Sequence, residues 1–266
     1  SLPATRVAVT DFDPVFLTAA RASIAALMAL ALLLALRAKR PDASDLGSLA
    51  IIAAGVVLGF PLLTAFALQH ITSAHSIVFI GLLPLATAIF AVVRGGERPR
   101  PSFWLFAGFG AALVGGFALT RGAEASTVGD SLMIAAVIVC GLGYAEGGQL
   151  SRRLGGWQVI CWALVIALPV MLLIGWIARP ATLIGVSAPA WLGLAYISLF
   201  SMLIGFIFWY RGLAEGGVAA VGQLQLLQPF FGLALAASLL HEPVGWSMAA
   251  VTLAVVVCVA GAKRFA

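Results

Sequence analysis

The sequence predicts an all-α membrane protein of ten transmembrane helices. Three observations lead to this fold class: an apolar composition, long uncharged runs and an internal repeat. Of the 266 residues, 62% are hydrophobic and 9% are charged, whereas soluble globular chains carry charge on about a quarter of their residues. Nearly uncharged runs, each close to the roughly 20 residues that cross a bilayer as a helix, cover 14–37, 46–68, 74–93, 101–120, 130–150, 157–178, 189–210, 217–240 and 244–262. Such continuous runs exclude a transmembrane β-barrel, whose strands alternate over about ten residues.

Basic residues are concentrated in alternate loops between the predicted spans. One set of loops carries Arg37, Lys39, Arg40, Arg94, Arg98, Arg100, Arg152, Arg153, Arg211, Lys263 and Arg264. The intervening loops carry only Arg121 and Arg179. Because basic loops tend to stay in the cytoplasm, we expect the basic set and the C-terminus on the cytoplasmic side. Topology thus accounts for the net charge of +5, and no nucleic-acid partner is expected.

The sequence lacks the patterns that support catalysis or metal binding. Cys140, Cys161 and Cys258 lie inside apolar runs, at spacings that suggest neither a disulfide framework nor a metal site. No HExxH or GxSxG motif is present, and no histidine is expected near the centre of the bilayer. We therefore expect no enzyme activity, no cofactor and no metal.

A shift of 145 residues aligns two parts of the sequence. Pro84 is followed by Glu97, and Pro229 is followed at the same spacing by Glu242. At this shift the stretch GLLPLATAIFAVVRGGERP lies on a stretch that ends in LLHEP, so hydropathy, proline and the acidic loop residue agree together. We interpret the agreement as an internal repeat.

The repeat divides the chain into two units of five helices, residues 1–120 and 121–266. An odd number of helices gives the two units opposite orientations, an arrangement typical of transporters that alternate access to a central site. In the second unit 27 residues, 130–156, precede the span at Trp157, whereas only 13 precede the span at Pro14. We therefore expect that the first helix, represented here by SLPATRVAVT, begins outside this chain.

Several stretches resemble a known family. The second span, PVFLTAARASIAALMALALLL, the segment FALQHITSAHSIVFIGLLPL and the two proline–glutamate pairs resemble the drug/metabolite transporter superfamily, specifically its EamA-type ten-helix members. The resemblance implies two inverted five-helix bundles around a central cavity, export of small metabolites, and a place in the bacterial inner membrane. The stretch FWYRGLAEGGVAAVGQLQLLQP is similar to bacterial aromatic amino acid exporters within that group. A drug or nucleotide-sugar carrier of the same superfamily is the alternative, and a channel or scaffold subunit is the alternative from another class.

Three glutamines occur in one apolar stretch near the C-terminus. At 100° per residue, Gln225 and Gln228 lie on one helix face just before Pro229, and Gln223 points nearly the opposite way. An unpaired amide in hydrocarbon costs several kcal/mol, so none of the three is expected to face lipid. Proline also leaves a backbone carbonyl free, which needs water or protein at membrane depth. We predict that this face looks onto a cavity, with interhelical hydrogen bonds as the alternative.

The shift of 145 residues carries this face to the fourth helix. There it meets Ser76, Phe79, Ile80 and Leu83, so an apolar and aromatic wall is expected opposite the amides. Such a cavity suits a neutral amino acid with an apolar or aromatic side chain. We predict a substrate cavity lined by Phe60, His75, Ser76, Phe79, Leu83, Pro84, Tyr144, Trp209, Gln225, Gln228 and Pro229. Packing remains the alternative for the aromatic residues, and a helix-end position remains the alternative for His75.

Only Arg21 and Glu146 place a charge inside a predicted span. Glu146 is expected to pair with Arg152 or Arg153 at the cytoplasmic end. Arg21 can extend to the external surface, pair with an aspartate of the preceding loop, or face the pathway. With no carboxylate expected at the bilayer centre, we predict facilitated diffusion rather than strict proton coupling. The expected partners are an amino acid-like small molecule and the lipid bilayer, and the expected unit is a monomer.

Overall fold

In the computed structural model, the described part of the chain folds into helices joined by loops and turns. That part comprises residues 2–95, 100–120, 126–216, 218–222 and 245–265, with residues 225, 231, 232, 234, 235, 237 and 238. The helices are α1 (Leu2–Ala8), α2 (Pro14–Ala35), α3 (Ala43–Ile52), α4 (Phe60–His70), α5 (Ser73–Ile80), α6 (Leu83–Gly95), α7 (Pro101–Thr120), α8 (Thr127–Leu154), α9 (Gly156–Ile177), α10 (Ala188–Tyr196), α11 (Gly205–Gly216), α12 (Val218–Gly222) and α13 (Trp246–Arg264).

Among the residues that the structure describes, six helical stretches are long and apolar enough to cross a membrane. They are Pro14–Ala35, Ala43–His70, His75–Arg94, Thr127–Leu154, Gly156–Ile177 and Ala188–Gly216. Each coincides with one of the predicted apolar runs, so the prediction of an all-helical membrane protein is confirmed at this level. The run 217–240 is described only in part, because the structure covers α12 and single residues there.

Capping side chains determine where several of these helices begin. The Asp13 carboxylate accepts hydrogen bonds from the backbone N–H groups of Val15 and Phe16, and Pro14 occupies the first turn, where it needs no donor. The Ser187 hydroxyl accepts from the N–H of Ala190 at the start of α10. Between α8 and α9, Gly155 adopts φ of 87°, a left-handed conformation that favours glycine.

Two π-helical segments interrupt the long stretches. Ala53–Gly59 joins α3 to α4, and Ile197–Ile204 joins α10 to α11. The second segment ends 145 residues after the first, which is the shift that relates the two halves of the sequence. Because a π-helical turn inserts a residue and frequently occurs at functional sites, its recurrence at equivalent positions indicates a shared role.

Helix α8 is held at both ends by side-chain contacts to neighbouring helices. At one end Asp130 Oδ1 lies 2.8 Å from Nε2 of His75 at the start of α5. At the other end Arg153 pairs with Asp45 in the first turn of α3. At 1.5 Å per residue the two pairs lie about 35 Å apart, close to the thickness of a bilayer. We call these the His75 end and the Arg153 end.

Small residues allow α2 and α9 to pack closely. Ala22, Ala25, Ala26 and Ala29 are fully buried on one face of α2, within the main apolar core. Small side chains at a helix interface let the backbones approach, which is typical of helices packed in lipid. The outer surface is apolar instead, with Leu105, Ile177, Leu192, Ile184 and Trp246 among the most exposed large side chains. The apolar surface suits contact with lipid chains.

Candidate functional site

A cavity of about 420 Å³ lies among the long helices. Its wall includes residues of α1, α2, α4, α5, α8 and α11 and of both π-helical segments, together with residues 225, 231, 232 and 235. The volume falls in the range of small-molecule sites, roughly 300–1,000 Å³. Val56 of the first π-helical segment and Ser201 of the second both lie in the wall. Both π-helical segments therefore border the same cavity.

Five of the predicted site residues come together in this wall: Phe60, Leu83, Tyr144, Trp209 and Gln225. Ile80, which the shift of 145 residues relates to Gln225, also lines the cavity. Gln228 and Pro229 lie outside the described residues, as does Gln223. Gln225 of the predicted amide face and Ile80 and Leu83 of the predicted apolar face thus line the same cavity.

The other predicted residues lie elsewhere among the described helices. His75 is buried and pairs with Asp130, and the Ser76 hydroxyl donates to the backbone oxygen of Ser73 at 2.9 Å. Phe79 packs in a separate apolar cluster that includes Met248 of α13. Pro84, in the first turn of α6, is not among the wall residues either. Phe79 and Leu83 are four residues apart and would share a face of one continuous helix. The turn at Gly81 and Leu82 separates α5 from α6, so Leu83 lines the cavity while Phe79 is buried in the other cluster.

Aromatic rings form one side of the cavity. The Tyr144 ring lies 5.8 Å from that of Phe206 and 5.6 Å from that of Trp209, measured between ring centroids. Behind them, Tyr210 is fully buried, and its hydroxyl donates to the backbone oxygen of Gly143 at 3.2 Å. Ring separations of 4.5–7 Å are those of favourable aromatic pairs, so the cluster gives the cavity a firm apolar wall.

Three polar side chains in the wall are buried without a partner among the described residues. Gln225 is 2% exposed, and neither its amide oxygen nor its amide nitrogen is hydrogen-bonded. The Trp209 indole Nε1 and the Arg21 Nε are likewise unpaired. An unsatisfied buried polar group costs about 1–3 kcal/mol, so water or a ligand in the cavity is needed to satisfy them.

Arg21 does not pair with the loop before α2. The Asp13 carboxylate caps α2, and Asp11 accepts a hydrogen bond from the backbone N–H of Ser187 at 2.9 Å. Hydrogen bonding from Ser187 also holds the pKa of the Asp11 carboxyl below its usual value. Arg21 is 7% exposed and lines the cavity, so of the three expectations for it the pathway position is the one that the geometry supports.

Glu146 is paired, but with other partners than expected. Its carboxylate accepts from Nε of Arg94 in α6 and from the Ser48 hydroxyl of α3, the latter at 2.9 Å. Arg153 pairs with Asp45 instead. The expected partner Arg153 lies about 10 Å further along α8, at 1.5 Å per residue, whereas α3 and α6 pack directly against the Glu146 turn. Glu146 therefore joins neighbouring helices and is not among the cavity residues.

Comparison with known proteins decides the family. The sequence profile described as "EamA-like transporter family" matches residues 1–120 and 127–262. The chain therefore belongs to the EamA-like transporter family. The predicted membership is confirmed, and the protein is a membrane transporter, not an enzyme.

Two relatives of this EamA-like transporter illustrate the range of similarity. The "Uncharacterized transporter YdeK" of Bacillus subtilis (strain 168) is 65% identical over 266 residues, which are 100% of this chain and 93% of the relative. The "Probable terminal-alkyne amino-acid exporter" of Streptantibioticus cattleyicolor is 27% identical over 241 residues, 86% of this chain and 77% of the relative. A solved crystal structure, 19% identical, gives a TM-score of 0.72 and covers 98% of this chain and 91% of its own, which is a likeness of fold.

The residue of this EamA-like transporter that sequence reasoning undervalued is Arg21. The signal was present, because Arg21 is the one charged residue in the run from Pro14 to Ala35, and alanines flank it on both sides. A long cation in a helix of small side chains has no local partner of its own. Its position near one end of a span made an extension to the surface equally plausible, and only the fold decides between the two.

Proposed function

We propose that this EamA-like transporter exports small neutral amino acids, with a preference for apolar or aromatic side chains, by alternating access between two inverted repeats, residues 1–120 and 121–266. The observation that carries the proposal is the cavity, where the aromatic cluster of Tyr144, Phe206 and Trp209 shares one wall with the unpaired amide of Gln225. The rings suit an apolar side chain, and the amide suits the polar main-chain groups of an amino acid.

Two observations support the arrangement in inverted repeats. The family profile matches the chain in two segments, 1–120 and 127–262, close to the proposed units. The π-helical segments Ala53–Gly59 and Ile197–Ile204 recur at the spacing of the sequence repeat. In the proposed topology the Arg153 end is cytoplasmic, as is the C-terminus, in the bacterial inner membrane.

The lining supports facilitated diffusion. Among the described wall residues there is no aspartate, glutamate or histidine, and Arg21 is the one charged side chain. The buried acidic groups near the cavity's helices are engaged elsewhere, Asp130 with His75 and Glu146 with Arg94. A carrier without a protonatable group in its binding site has no direct means to exchange substrate for protons there.

The name of one relative supports the substrate class. The Streptantibioticus cattleyicolor protein is described as a probable amino-acid exporter and aligns over 86% of this chain. An amino acid-like substrate is therefore the first class to test, ahead of a drug or a nucleotide sugar.

Counterflow in proteoliposomes tests the proposal. Vesicles are loaded with unlabelled phenylalanine, threonine or methionine, and uptake of the same labelled amino acid is measured for the wild type and for Gln225→Leu. We expect saturable exchange that Gln225→Leu reduces about 5- to 12-fold, since a hydrogen-bonding group worth roughly 1–1.5 kcal/mol is lost.

Gln158→Leu is the matched control. It makes the same substitution at a half-buried glutamine of α9 that does not line the cavity, and exchange is expected to stay at the wild-type level. Exchange of none of the three amino acids by folded wild-type protein contradicts the amino-acid proposal and directs the search to drug or nucleotide-sugar substrates.

A further inference from the structure

The cavity carries a positive charge that no protein group neutralises in the described part of the chain. Arg21 is only 7% exposed, and its Nε has no hydrogen-bond partner. None of the ion pairs found among the described residues includes Arg21. A charge in a membrane-spanning segment is costly, and such residues generally pair or mark a pathway. With the two aspartates of the preceding loop engaged elsewhere, Arg21 needs an anion that enters the cavity.

Two further side chains in the cavity wall carry unpaired hydrogen-bonding atoms. Gln225 contributes two amide N–H donors and one acceptor oxygen, and Trp209 contributes an indole N–H donor, all without partners and all in the wall. A carboxylate accepts up to four hydrogen bonds, and a guanidinium can hold it through two parallel N–H donors. Arg21, Gln225 and Trp209 together therefore present more hydrogen-bond donors than acceptors, which is what a carboxylate requires.

We propose that Arg21 binds the carboxylate of the transported molecule, so that the site selects small monocarboxylates with an apolar or aromatic body. The proposal rests on the proposed function, since it assigns the substrate's charged group to a residue of the same cavity. Gln225 completes the binding of the carboxylate, and the aromatic cluster holds the apolar body.

Recognition of the amino group is secondary in this site. No carboxylate lines the described part of the cavity, so an ammonium group meets the ring faces of the aromatic cluster, the Gln225 oxygen and the Tyr144 and Ser201 hydroxyls. These neutral partners contribute less than an ion pair does. Removing the amino group from a substrate therefore weakens binding less than neutralising its carboxylate.

Four compounds with one aromatic body separate the two groups. Phenylalanine carries both charges, 3-phenylpropionate only the carboxylate, and phenylalaninamide and phenethylamine only the amino group. Each is tested for exchange in counterflow and for its shift of the thermal unfolding temperature of the purified protein. We expect phenylalanine and 3-phenylpropionate to exchange and to stabilise the protein, and the two amines to bind about 10- to 100-fold more weakly, because charge-assisted hydrogen bonds are lost.

Variants of Arg21 connect this selectivity to the residue. Arg21→Gln is expected to weaken the binding of phenylalanine about 10- to 100-fold and to abolish the discrimination against phenylalaninamide. Arg21→Lys is expected to keep this discrimination but to bind phenylalanine with lower affinity. Arg179→Gln, which removes an arginine that stacks on Trp176 outside the cavity, serves as control and leaves the affinities unchanged.

A structural role for Arg21 makes the opposite stability prediction. Because Arg21→Gln removes an unpaired buried cation, the ligand-free variant is expected to unfold at the wild-type temperature or above, whereas loss of a structural contact lowers it. If the variant fails to fold, the four-compound series on the wild type still decides.

Each outcome has one meaning. Exchange of phenylalaninamide equal to that of phenylalanine overturns the carboxylate assignment and leaves amino acid transport standing. Exchange of 3-phenylpropionate without phenylalanine supports the assignment and overturns the proposed amino acid substrate. Exchange of none of the four, with threonine or methionine still exchanged, overturns the carboxylate assignment for aromatic substrates and leaves amino acid transport standing. Exchange of none of the four and of neither threonine nor methionine overturns both.

Discussion

At the scale of single residues, the two kinds of ion pair in the protein differ in what they contribute. Asp45 is 1% exposed, pairs with Arg153, and accepts a second hydrogen bond from the backbone N–H of Asp42. Glu215 pairs with Arg211 one turn away, and both side chains are about two-thirds exposed. Exposed pairs contribute about 0–1 kcal/mol, whereas removing one partner of a buried pair costs more, because the other group is left unpaired.

We therefore expect Asp45→Asn to lower the free energy of unfolding by about 1–3 kcal/mol. This is less than the loss for a fully buried ion pair, because the Arg153 side chain is more than half exposed. Glu215→Gln, which also replaces a carboxylate by its amide, is expected to change it by less than about 0.5 kcal/mol. Thermal or denaturant unfolding in detergent measures both. Equal changes in the free energy of unfolding for the two variants would contradict the larger contribution expected of the buried pair.

At the scale of helices, the interruptions of the long stretches place the cavity. Phe60 N–H donates to Gly55, and Gly205 N–H donates to Phe200, in each case five residues back. A Cβ at Gly205 meets the Phe200 backbone oxygen at 2.7 Å, which leaves no room for a side chain while the π-helical turn persists. Glycine at this position therefore permits the turn that brings Ser201 and Phe206 into the wall.

We expect Gly205→Ala to disturb this turn and to lower the rate of counterflow about 5- to 100-fold, if the overpacking cost of about 1–3 kcal/mol falls on the transporting conformation. Gly212→Ala is the control in the same membrane-spanning stretch, because its Cβ meets only Val221 at an ordinary contact distance of 3.4 Å. Initial rates of exchange at equal reconstituted amounts measure both variants. A wild-type rate for Gly205→Ala shows that the turn can relax without consequence for transport.

The sequence predicted helices better than their interruptions. Uncharged runs of about 20 residues follow from the thickness of the bilayer, so six of the predicted spans correspond to apolar helices of sufficient length. A π-helical turn leaves no comparable pattern, because the segments around it are mostly apolar and would suit a regular α-helix equally well. The same limit applies to the site, where the helix period placed Leu83 in the wall, but Phe79 packs against another helix.

At the scale of the whole molecule, charge is distributed away from the transport path. The His75–Asp130 pair lies at one end of α8, the Glu146–Arg94 and Arg153–Asp45 pairs lie towards the other end, and none of these residues lines the cavity. Proton coupling requires a group whose protonation changes during the cycle and alters substrate binding. The described part of the binding site holds only Arg21 as a charged group, and arginine keeps its proton at physiological pH.

Transport is therefore expected to follow the substrate gradient alone. Collapsing the pH gradient with an ionophore, at an unchanged gradient of the exchanged amino acid, is expected to leave the initial rate within about twofold, and a pH gradient without a substrate gradient is expected to drive no uptake. If collapse stops transport in the wild type, Asp130→Asn identifies the source. Loss of the pH dependence in that variant assigns coupling to the His75–Asp130 pair, at a distance from the cavity, and contradicts facilitated diffusion.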